Sequence, residues 1–557
     1  MNINAAYNDT TFTANEASNL LKVSVKDFLR KASPSIRSWQ EIGDTVESSD
    51  ETKCAELLLD LPIQYFSGEV QGVIAAAGLG KTSSVVEELK HFNGTVWFLI
   101  PNMELAEEIK ESFTNAGHKK VYLFRGRNEN NCARFALSKQ LSQYVSPDEQ
   151  SVGQSLCKKG DELCPHYDSC QYITQIDNIK NSSKPTIVIM AHNYLTVHAP
   201  MPAPDLVVVD ESHWQKMVET KSIKVTKLYG IAGCNSTDAD KYLFTIKVIV
   251  HALKWHPQNY LEELRKVGIK SKKDLQPALD FLENLKKDIK HISPKHSDDK
   301  IRSIISQYGT NPPVITKAYY MLGMLAEELS RQRNTGHLLR MYNETIIIHT
   351  RKNPRSFIHP RVPILLLDAS ANKAINSQIW GKNLKHQSIP ARRNVIVYQV
   401  AGRQFSKQSI TGKMLYGDCR PEEAVVFRNE IIDFVNHLPG KVFVAATKEV
   451  IKILQPRFRD GIYTGHFAAL RGKNKFIECD TAVILGREQP SPESIEMHGR
   501  ALWFDSNVPL NLAGQYDKVL KKLPLKNGGF KDLPVYMHPD ANIHAVLEQI
   551  REEELAQ

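Results

Sequence analysis

Short apolar runs alternate with amphipathic stretches along much of the chain. The runs lie at positions 73–75, 96–100, 121–124, 186–190, 206–209 and 364–368. Each run is continuously hydrophobic rather than alternating, which is typical of strands buried on both faces of a sheet. Because helix-like stretches separate these strands, we expect a parallel sheet covered by helices, that is, an α/β protein.

Two further regions extend this pattern. The α/β pattern that resumes at 364–368 continues in an apolar run at 395–397, and runs at 442–445 and 482–485 predict a second set of strands. Between the two sets, residues 215–345 place apolar side chains at helical spacing with charged residues in the gaps, which predicts a helical, moderately basic insertion.

The polar N-terminal region carries signals for short helices. Thr13 and Glu16 have the spacing of a capping box. Ser24 is in a position to cap a second short helix that runs through Phe28 and Leu29.

Composition limits the class of protein. At 557 residues the chain is too long for one hydrophobic core, and its formal net charge of +9 weakly favours a polyanionic partner. The first residues lack the pattern of a signal peptide, and no apolar run approaches the roughly 18–20 residues that span a bilayer. We therefore expect a cytoplasmic protein with no membrane partner and with reduced thiols.

A phosphate-binding loop follows the first apolar run. Its sequence is Ala75-Ala76-Ala77-Gly78-Leu79-Gly80-Lys81-Thr82, with alanine at the first position, where the full pattern has glycine. Such a loop points backbone N–H groups at a phosphate, and the following helix adds positive potential. Lys81 would neutralise the β/γ-phosphates, and the Thr82 hydroxyl would bind Mg²⁺. The predicted nucleotide contacts are Ala77, Gly78, Leu79, Gly80, Lys81, Thr82, Ser83 and His213.

Two acidic residues, Asp210 and Glu211, come directly after another apolar run. At the carboxyl edge of a parallel sheet they would lie beside the phosphate loop. Asp210 would hold Mg²⁺ through water and Glu211 would orient the attacking water, which makes them catalytic candidates together with Lys81. The alternative is a solvated pair that only ends a strand. His213 would either link the nucleotide site to the second lobe or pack in the core.

Four of the eight cysteines, Cys132, Cys157, Cys164 and Cys170, fall close together in the sequence. None of them forms the Cys-x₂₋₄-Cys pair that is usual in structural zinc sites. Four thiolates on longer loops suit an iron–sulfur cubane, whose ligands are further apart than those of a single ion. Zinc and unligated buried thiols remain the alternatives.

These motifs resemble those of the iron–sulfur helicases of superfamily 2, the XPD/DinG type. Residues 125–132 are similar to the family's Lys-Gly-Arg-x-Asn-Tyr-x-Cys segment, and Cys164-Pro165 with Cys170 fits its distal half. Asp210-Glu211-Ser212-His213 matches the DEAH box with serine for alanine. The remaining similar segments are 187–195, with His and Asn in reversed order, 367–371 at the Ser-Ala-Thr-type motif, and 471–476 with 482–487 at a second-lobe motif.

The resemblance, over about residues 70 to 500, implies two RecA-like P-loop lobes, with an iron–sulfur insertion and a helical arch insertion in the first lobe. The implied divisions are 1–60 (N-terminal extension), 61–128, 186–214 and 351–388 (lobe 1), 129–185 (iron–sulfur insertion), 215–350 (arch-like insertion) and 389–557 (lobe 2, its C-terminal completeness left open).

The resemblance also implies a function. It is that of an ATP-dependent DNA helicase or translocase, moving 5′ to 3′ on single-stranded DNA, with ATP, Mg²⁺ and a [4Fe–4S] cluster. The implied partners are single-stranded or forked DNA, with a protein partner from replication, repair or a mobile-element system left open. On the motif match, the expected nucleic-acid contacts are Arg125, Arg127, Arg471 and Asn474.

The second lobe also carries cations that we expect to be unpaired, since they outnumber the nearby acids, and that would neutralise backbone phosphates. They are Arg392, Arg393, Arg403, Lys407, Lys413, Arg457, Arg459, Arg471, Lys473 and Lys475. Except at Arg471, which lies in a motif, a merely solvated surface is the alternative. Four aromatic residues are candidates for stacking on bases, with core packing as the alternative. They are Trp380, Tyr398, Tyr463 and Phe476.

One departure from the family pattern affects the function. The sixth motif, Gln-x-x-Gly-Arg-x-x-Arg, supplies arginine fingers, but His498-Gly499-Arg500 keeps only its Gly-Arg pair. Two alternatives therefore stay open. The first is a non-catalytic or partner-dependent nucleic-acid-binding ATPase subunit with a structural zinc or iron–sulfur site. The second is a zinc-bearing P-loop nucleotidase.

Overall fold

The structure is a computed structural model of the chain. It describes residues 12–33, 68–142, 152–233, 236–287, 292–308, 311–381, 384–392, 395–398, 400, 403, 405–412, 421–467, 469–470, 476–524 and 529–553.

Strands are numbered here in chain order. They are β1 (Val70–Ala75), β2 (Thr95–Ile100), β3 (Val121–Leu123), β4 (Lys158–Lys159), β5 (Glu162–Leu163), β6 (Thr186–Ala191), β7 (Leu206–Asp210), β8 (Val218–Lys224), β9 (Leu339–Tyr342), β10 (Thr345–Arg351), β11 (Ile364–Asp368), β12 (Lys385–Ile389), β13 (Val442–Ala446), β14 (Ile462–His466), β15 (Thr481–Ile484), β16 (Asp517–Pro524) and β17 (Phe530–Met537).

The α-helices are numbered in the same way. They are α1 (Ala14–Ala32), α2 (Lys81–Glu88), α3 (Ala106–Asn115), α4 (Phe135–Leu141), α5 (Val152–Leu156), α6 (Gln171–Lys180), α7 (Trp214–Met217), α8 (Val225–Tyr229), α9 (Thr237–Trp255), α10 (Tyr260–Lys266), α11 (Lys272–Lys287), α12 (Asp298–Tyr308), α13 (Asn311–Leu329), α14 (Lys373–Trp380), α15 (Lys407–Thr411), α16 (Pro421–His437), α17 (Lys448–Leu454), α18 (Pro492–Leu502) and α19 (Ala541–Glu553).

The largest sheet has seven strands in the order β12-β1-β11-β7-β2-β6-β3, and its strand pairs are all parallel. Its central strands β2, β7 and β11 are buried along their whole length, which explains their continuous hydrophobicity. The α/β class expected from the sequence is confirmed, and the sheet is of the kind expected for a RecA-like lobe. We call this sheet and the helices that cover it the first lobe.

Helices cover both faces of this sheet. On one face, α1, α2 and α3 share a hydrophobic core with side chains of β1, β2 and β7. On the other face, α6, α14, α18 and α19 pack against the alternate side chains of the same strands. The two C-terminal helices α18 and α19 therefore contribute to the core of the first lobe, although they follow the second sheet in sequence.

Helix α1 corrects one sequence prediction. Thr13 and Glu16 form the expected capping box. Ser24, however, lies inside one continuous helix, where its hydroxyl donates to Gln387 Oε1 over 2.5 Å. The prediction of a second short helix that starts there is wrong, because the buried stripe of Leu21, Val25 and Phe28 holds the whole segment on the sheet.

Two long insertions interrupt the first lobe. Residues 124–185 carry the cysteines between β3 and β6, and residues 211–363 separate β7 from β11. The second insertion is mostly helical, as expected, but β8, β10 and β9 form a three-stranded antiparallel sheet within it. This sheet was not expected from the sequence, because β8 pairs with a strand more than a hundred positions away and local periodicity carries no record of such a partner.

A second sheet has the order β14-β13-β15 and is parallel. The strands expected at 442–445 and 482–485 are thus confirmed, with a core formed mainly with α16 and α17. The strand expected at 395–397 is wrong, since these residues form no strand and are more than half exposed. Among the described residues, no helix combines the length and apolar character needed to cross a bilayer.

Candidate functional site

The phosphate loop connects β1 to α2 at the carboxyl edge of the first sheet. Gly78 and Gly80 have φ values of 82° and 79°, in the left-handed region that side chains with a Cβ rarely adopt. Ala75 is instead the last residue of β1 and is 1% exposed. The loop therefore needs glycine at positions 78 and 80, whereas alanine is accommodated at its first position.

Lys81 begins α2 and is only 6% exposed. Its Nζ donates a hydrogen bond to the Ala75 carbonyl over 3.0 Å and lies 4.0 Å from Glu211 Oε1. The ammonium group thus spans the base of the loop, between the end of β1 and the acidic end of β7.

Asp210 is the last residue of β7 and faces the start of α2. Its Oδ2 accepts a hydrogen bond from the Thr82 hydroxyl over 2.9 Å, whereas its Oδ1 is buried and has no hydrogen-bond partner. Burial, and after it the charge of Glu211, raises the pKa of Asp210 to about 7. A buried carboxylate oxygen without a partner, beside a threonine hydroxyl, fits the oxygen ligands that Mg²⁺ takes.

Glu211 has an unusual backbone conformation. Its φ of 66° is one of the few positive values at a described non-glycine residue, and such a conformation costs about 1–3 kcal/mol. The Glu211 N–H donates to the Leu367 carbonyl over 2.7 Å, which holds the turn against β11. The Glu211 side chain is 19% exposed, whereas Asp210 is a buried residue, so Glu211 is the carboxylate that solvent reaches.

Asp368 is a third carboxylate at this edge, and the sequence analysis did not assign it to the site. Strand β11 lies between β1 and β7, with Asp368 beside Ile74 in the pairing with β1. Burial, and to a smaller extent the charge of Glu211, raises the pKa of Asp368 to about 7 against an opposing hydrogen bond from the Ser370 N–H. A signal was present, because Asp368 ends an apolar run in the same way as Asp210.

His213 lies in the core of the first lobe, where it is 3% exposed. Its Nε2 accepts a hydrogen bond from the Trp380 indole over 2.8 Å, and its ring meets that of His192 edge-on. Burial and the neighbouring His192 lower the pKa of His213 to about 3, so the ring is neutral. Of the two sequence-based alternatives for His213, this position agrees with packing. The Trp380 indole, buried beside it, is not available to stack on a base.

The four clustered cysteines come together around one cavity. They are Cys132, Cys157, Cys164 and Cys170, and all four are free thiols. Cys157 and Cys164 flank the β4–β5 hairpin, and Cys170 immediately precedes α6. Burial raises the pKa of the Cys132 and Cys164 thiols, so a bound cation would be needed to stabilise their thiolates. In the ranges described, no group of three or more His, Cys, Asp or Glu side chains is arranged to hold a metal ion.

Arg127 also lines this cavity. Its guanidinium donates to Cys157 Sγ over 3.2 Å and lies 4.3 Å from the centre of the Tyr172 ring. The residue predicted to contact nucleic acid therefore faces the cysteines. Arg125 is exposed and forms an ion pair with Glu107 at 3.1 Å. The other two predicted contacts, Arg471 and Asn474, lie outside the described residues.

Several cations of the second lobe have partners, although the sequence suggested that they were unpaired. Arg403 and Lys407 form ion pairs with Glu430 and Glu449. Arg457 donates a hydrogen bond to the Asn429 side chain, and Arg459 donates to backbone carbonyls, including that of Leu438. The expectation of unpaired cations is wrong at these four positions, while Arg393, Lys413, Arg471, Lys473 and Lys475 lie outside the described residues.

The candidate stacking residues divide in a similar way. Phe476 stacks on Phe443 with ring centres 4.1 Å apart, which agrees with packing. Tyr398 and Tyr463 are 72% and 43% exposed.

A stripe on α9 was not found from the sequence. Phe244 and Trp255 are 62% and 65% exposed, and Lys247, His251 and Lys254 are exposed on the same side of the helix. The spacing of three or four residues places them in one row. We call these five residues the α9 stripe. The alternation of aromatic and cationic residues at helical spacing was the available signal.

Arg500, from the partial sixth motif, is 6% exposed. Its guanidinium donates to the Gly336 carbonyl over 3.1 Å and lies near the carbonyls of His337 and Leu339. In this arrangement Arg500 anchors α18 to the segment before β9 and does not face the phosphate loop.

No protein-family model matches the chain. No curated protein matches it.

Solved structures similar to it include the following three. One, described as an XPD helicase, has 12% identity and a TM-score of 0.41, covering 87% of this chain and 88% of its own. S. tokodaii Xpd4 has 12% identity and a TM-score of 0.35, with coverage of 79% and 84%. A truncated XPD has 11% identity and a TM-score of 0.32, with coverage of 66% and 98%.

Proposed function

We propose that the chain is an ATP-driven DNA helicase or translocase that holds an iron–sulfur cluster in its cysteine segment. The observation that best supports the motor is the pair Thr82 and Asp210. Their hydroxyl and carboxylate meet beside a loop of left-handed glycines, next to a buried carboxylate oxygen without a partner. A P-loop hydroxyl and a strand-end aspartate are the protein ligands that P-loop nucleotidases use for Mg²⁺.

The site residues would have separate roles in ATP hydrolysis. Backbone N–H groups of Ala77 to Gly80 and the start of α2 would bind the phosphates, with Ser83 in the first turn. Lys81 would exchange its bond to the Ala75 carbonyl for the β/γ-phosphates. Mg²⁺, when bound, supplies charge neutralisation between the phosphates.

Glu211 is the general base of this proposal. Its more exposed carboxylate would orient a water molecule for in-line attack on the γ-phosphorus and accept its proton, while the bond to the bridging oxygen breaks. The strained backbone of Glu211 supports this role, because conformations of this kind cluster at functional sites.

The α9 stripe is the proposed contact for a single strand. Exposed aromatic rings stack on bases of any sequence, and neighbouring lysines neutralise phosphates. Phe244 and Trp255 supply the rings, and Lys247 and Lys254 supply the charge. This surface adds to Arg125, Arg471 and Asn474, which remain proposed contacts.

Cys132, Cys157, Cys164 and Cys170 would hold the cluster. The support for this donor set is that the four cysteines line one cavity and that Arg127 can donate to a sulfur ligand, while binding the cluster would require the described thiols to move into a ligating arrangement. The cluster, when bound, supplies a thiolate-ligated, redox-active cross-link between α4, the β4–β5 hairpin and α6. Metal analysis distinguishes a zinc ion at the same position from an iron–sulfur cluster. The 5′-to-3′ direction is proposed from the motif resemblance.

The test uses full-length protein purified without oxygen. Adding single-stranded DNA is expected to raise the rate of ATP hydrolysis, and Lys81→Ala is expected to abolish hydrolysis without changing the iron content. Lys90→Ala, an exposed lysine of the same segment, is the matched control. Equal hydrolysis by Lys81→Ala and wild type would contradict the proposal. Forked DNA with a single 5′ or 3′ tail tests the direction.

One observation favours a second candidate, a nucleic-acid-binding ATPase subunit that depends on a partner. Arg500 is bound to backbone carbonyls, so another chain would supply an arginine to the γ-phosphate. A large rise in DNA-stimulated hydrolysis on adding a partner protein, from a negligible rate, would favour this candidate.

A further inference from the structure

The C-terminal helix α19 lies against the acidic edge of the first sheet. Ile543, Val546 and Leu547 are buried in the core of the first lobe and fix the helix there. Two polar residues further along the helix, Gln549 and Glu553, are 2% and 1% exposed. Buried polar side chains on an otherwise apolar face need partners, and these two find them in the candidate site.

Glu553 contacts the segment directly after the proposed general base. Its Oε1 accepts hydrogen bonds from the Ser212 hydroxyl and the Trp214 indole, each over 2.5 Å. It accepts a third from Gln549 Nε2 over 2.9 Å. Ser212 stands where the resembled DEAH box has alanine, and an alanine would make no such bond.

Gln549 contacts the loop after β11 in the same way. Its Oε1 accepts from the Asn372 N–H over 2.6 Å, and its Nε2 lies 3.4 Å from the Ser370 hydroxyl. The Ser370 N–H in turn donates to Asp368 Oδ1 over 2.9 Å. One helix therefore connects the turn after β7 with the loop after β11.

The backbone of Glu211 shows why such a connection matters. A residue in the left-handed region keeps that conformation only if its surroundings hold it there. The Leu367 carbonyl holds Glu211 on one side through its N–H. Ser212, bonded to Glu553, holds the turn on the other side.

We propose that Glu553 and Gln549 are positioning residues that set the orientation of the Glu211 carboxylate for ATP hydrolysis. This inference rests on the proposed function. In this role, α19 holds the turn after β7 that carries Glu211. The serine of the Asp-Glu-Ser-His sequence then serves as the hydrogen-bond donor to α19.

The test compares Glu553→Gln and Ser212→Ala with Glu552→Gln, a matched change at the adjacent, exposed glutamate. Each of the first two is expected to lower kcat for ATP about tenfold, with KM changed by less than about twofold, because weakening a bond in the hydrolytic site affects the transition state more than binding. The double variant is expected to be no slower than Glu553→Gln, since both single changes act on the same hydrogen bond between Ser212 and Glu553. Glu552→Gln should match wild type.

A second readout does not depend on activity. Hydrogen–deuterium exchange of residues 209–214 is expected to rise in Glu553→Gln and Ser212→Ala and to stay unchanged in Glu552→Gln, at an unchanged thermal midpoint. The positioning role would be overturned if kcat and exchange were both unchanged. It would also be overturned if the losses of the two single variants in kcat, KM and thermal midpoint added up in the double variant. If wild type hydrolyses no ATP, the proposed function fails, and the exchange measurement still decides whether α19 holds the turn.

Discussion

Thr82 donates a hydrogen bond from its hydroxyl to Asp210 Oδ2 over 2.9 Å, although 128 positions separate the two residues in the chain. Parallel pairing of β1, β11 and β7 creates this contact, because it brings the ends of the three strands to one edge of the sheet. The contact places a hydroxyl, a buried carboxylate and the Lys81 ammonium around one small region.

The Thr82 hydroxyl is expected to be necessary for Mg²⁺-dependent turnover. Thr82→Val keeps the shape of the side chain but removes the hydroxyl, and we expect a fall in kcat of roughly a hundredfold, the scale seen when one preorganised polar group of an active site is removed. Thr82→Ser keeps the hydroxyl and is the control. Mg²⁺ titrations of ATP hydrolysis measure the effect, and equal rates for the two variants would contradict the assignment.

The buried acids predict a specific pH dependence of stability. Burial raises the pKa of Asp368 from 3.8 to about 7, so the folded state prefers the protonated carboxyl. The stability that this preference contributes is complete below pH 3.8 and is lost as the pH rises through about 7.

Asp368→Asn removes this titration, since the amide resembles the protonated acid. In EDTA, the variant should therefore have a higher thermal midpoint than wild type at pH 8, and the difference should be clearly smaller at pH 5, where only part of the contribution has been lost. Asp532→Asn, at an exposed position of β17, should give the same difference from wild type at both values of pH. A gain at pH 5 that equals the gain at pH 8 would argue against a raised pKa.

The cysteine cavity predicts which thiols would bind the proposed cluster. Cys164→Ser should lower the iron and acid-labile sulfide of the purified protein and bleach its visible absorption, because one of four sulfur ligands is lost. Cys479→Ser, at a free thiol that does not line the cavity, should leave all three unchanged. Stoichiometric zinc without sulfide in the wild-type protein would rule out the cluster in favour of a zinc site.

The α9 stripe predicts a contact with single-stranded DNA. Trp255→Ala should weaken binding by about 1–3 kcal/mol, the range found for one aromatic ring stacked on a base. Val267→Ala removes another apolar side chain, 55% exposed in the same insertion, and should bind as wild type does. Fluorescence anisotropy with a labelled oligonucleotide at fixed salt measures both, and identical affinities would place the strand elsewhere.

Features that depend on near neighbours in the chain were predictable. The loop from Ala75 to Thr82 consists of a strand end, a turn with two left-handed glycines and a helix start. Each part requires a characteristic residue type, which can be recognised in the sequence. The same holds for Asp210 and Glu211 at the end of a buried strand and for the capping box of Thr13. Continuous hydrophobicity identified six of the seven strands of the parallel sheet for a similar reason, since burial on both faces excludes polar residues. The edge strand β12 is largely polar and was not expected.

Other features depend on which segments meet in space. Arg127 faces Cys157, Trp380 donates to His213, and Glu553 accepts from Ser212. Asp368 joined the site because β11 is inserted between β1 and β7, an order that no local pattern records. Hydrophobic periodicity tells which face of a strand or helix is buried, but it does not tell what lies on the other side of the contact. The strand order and the packing of distant helices decide that, and with it the partners of each polar group in the site.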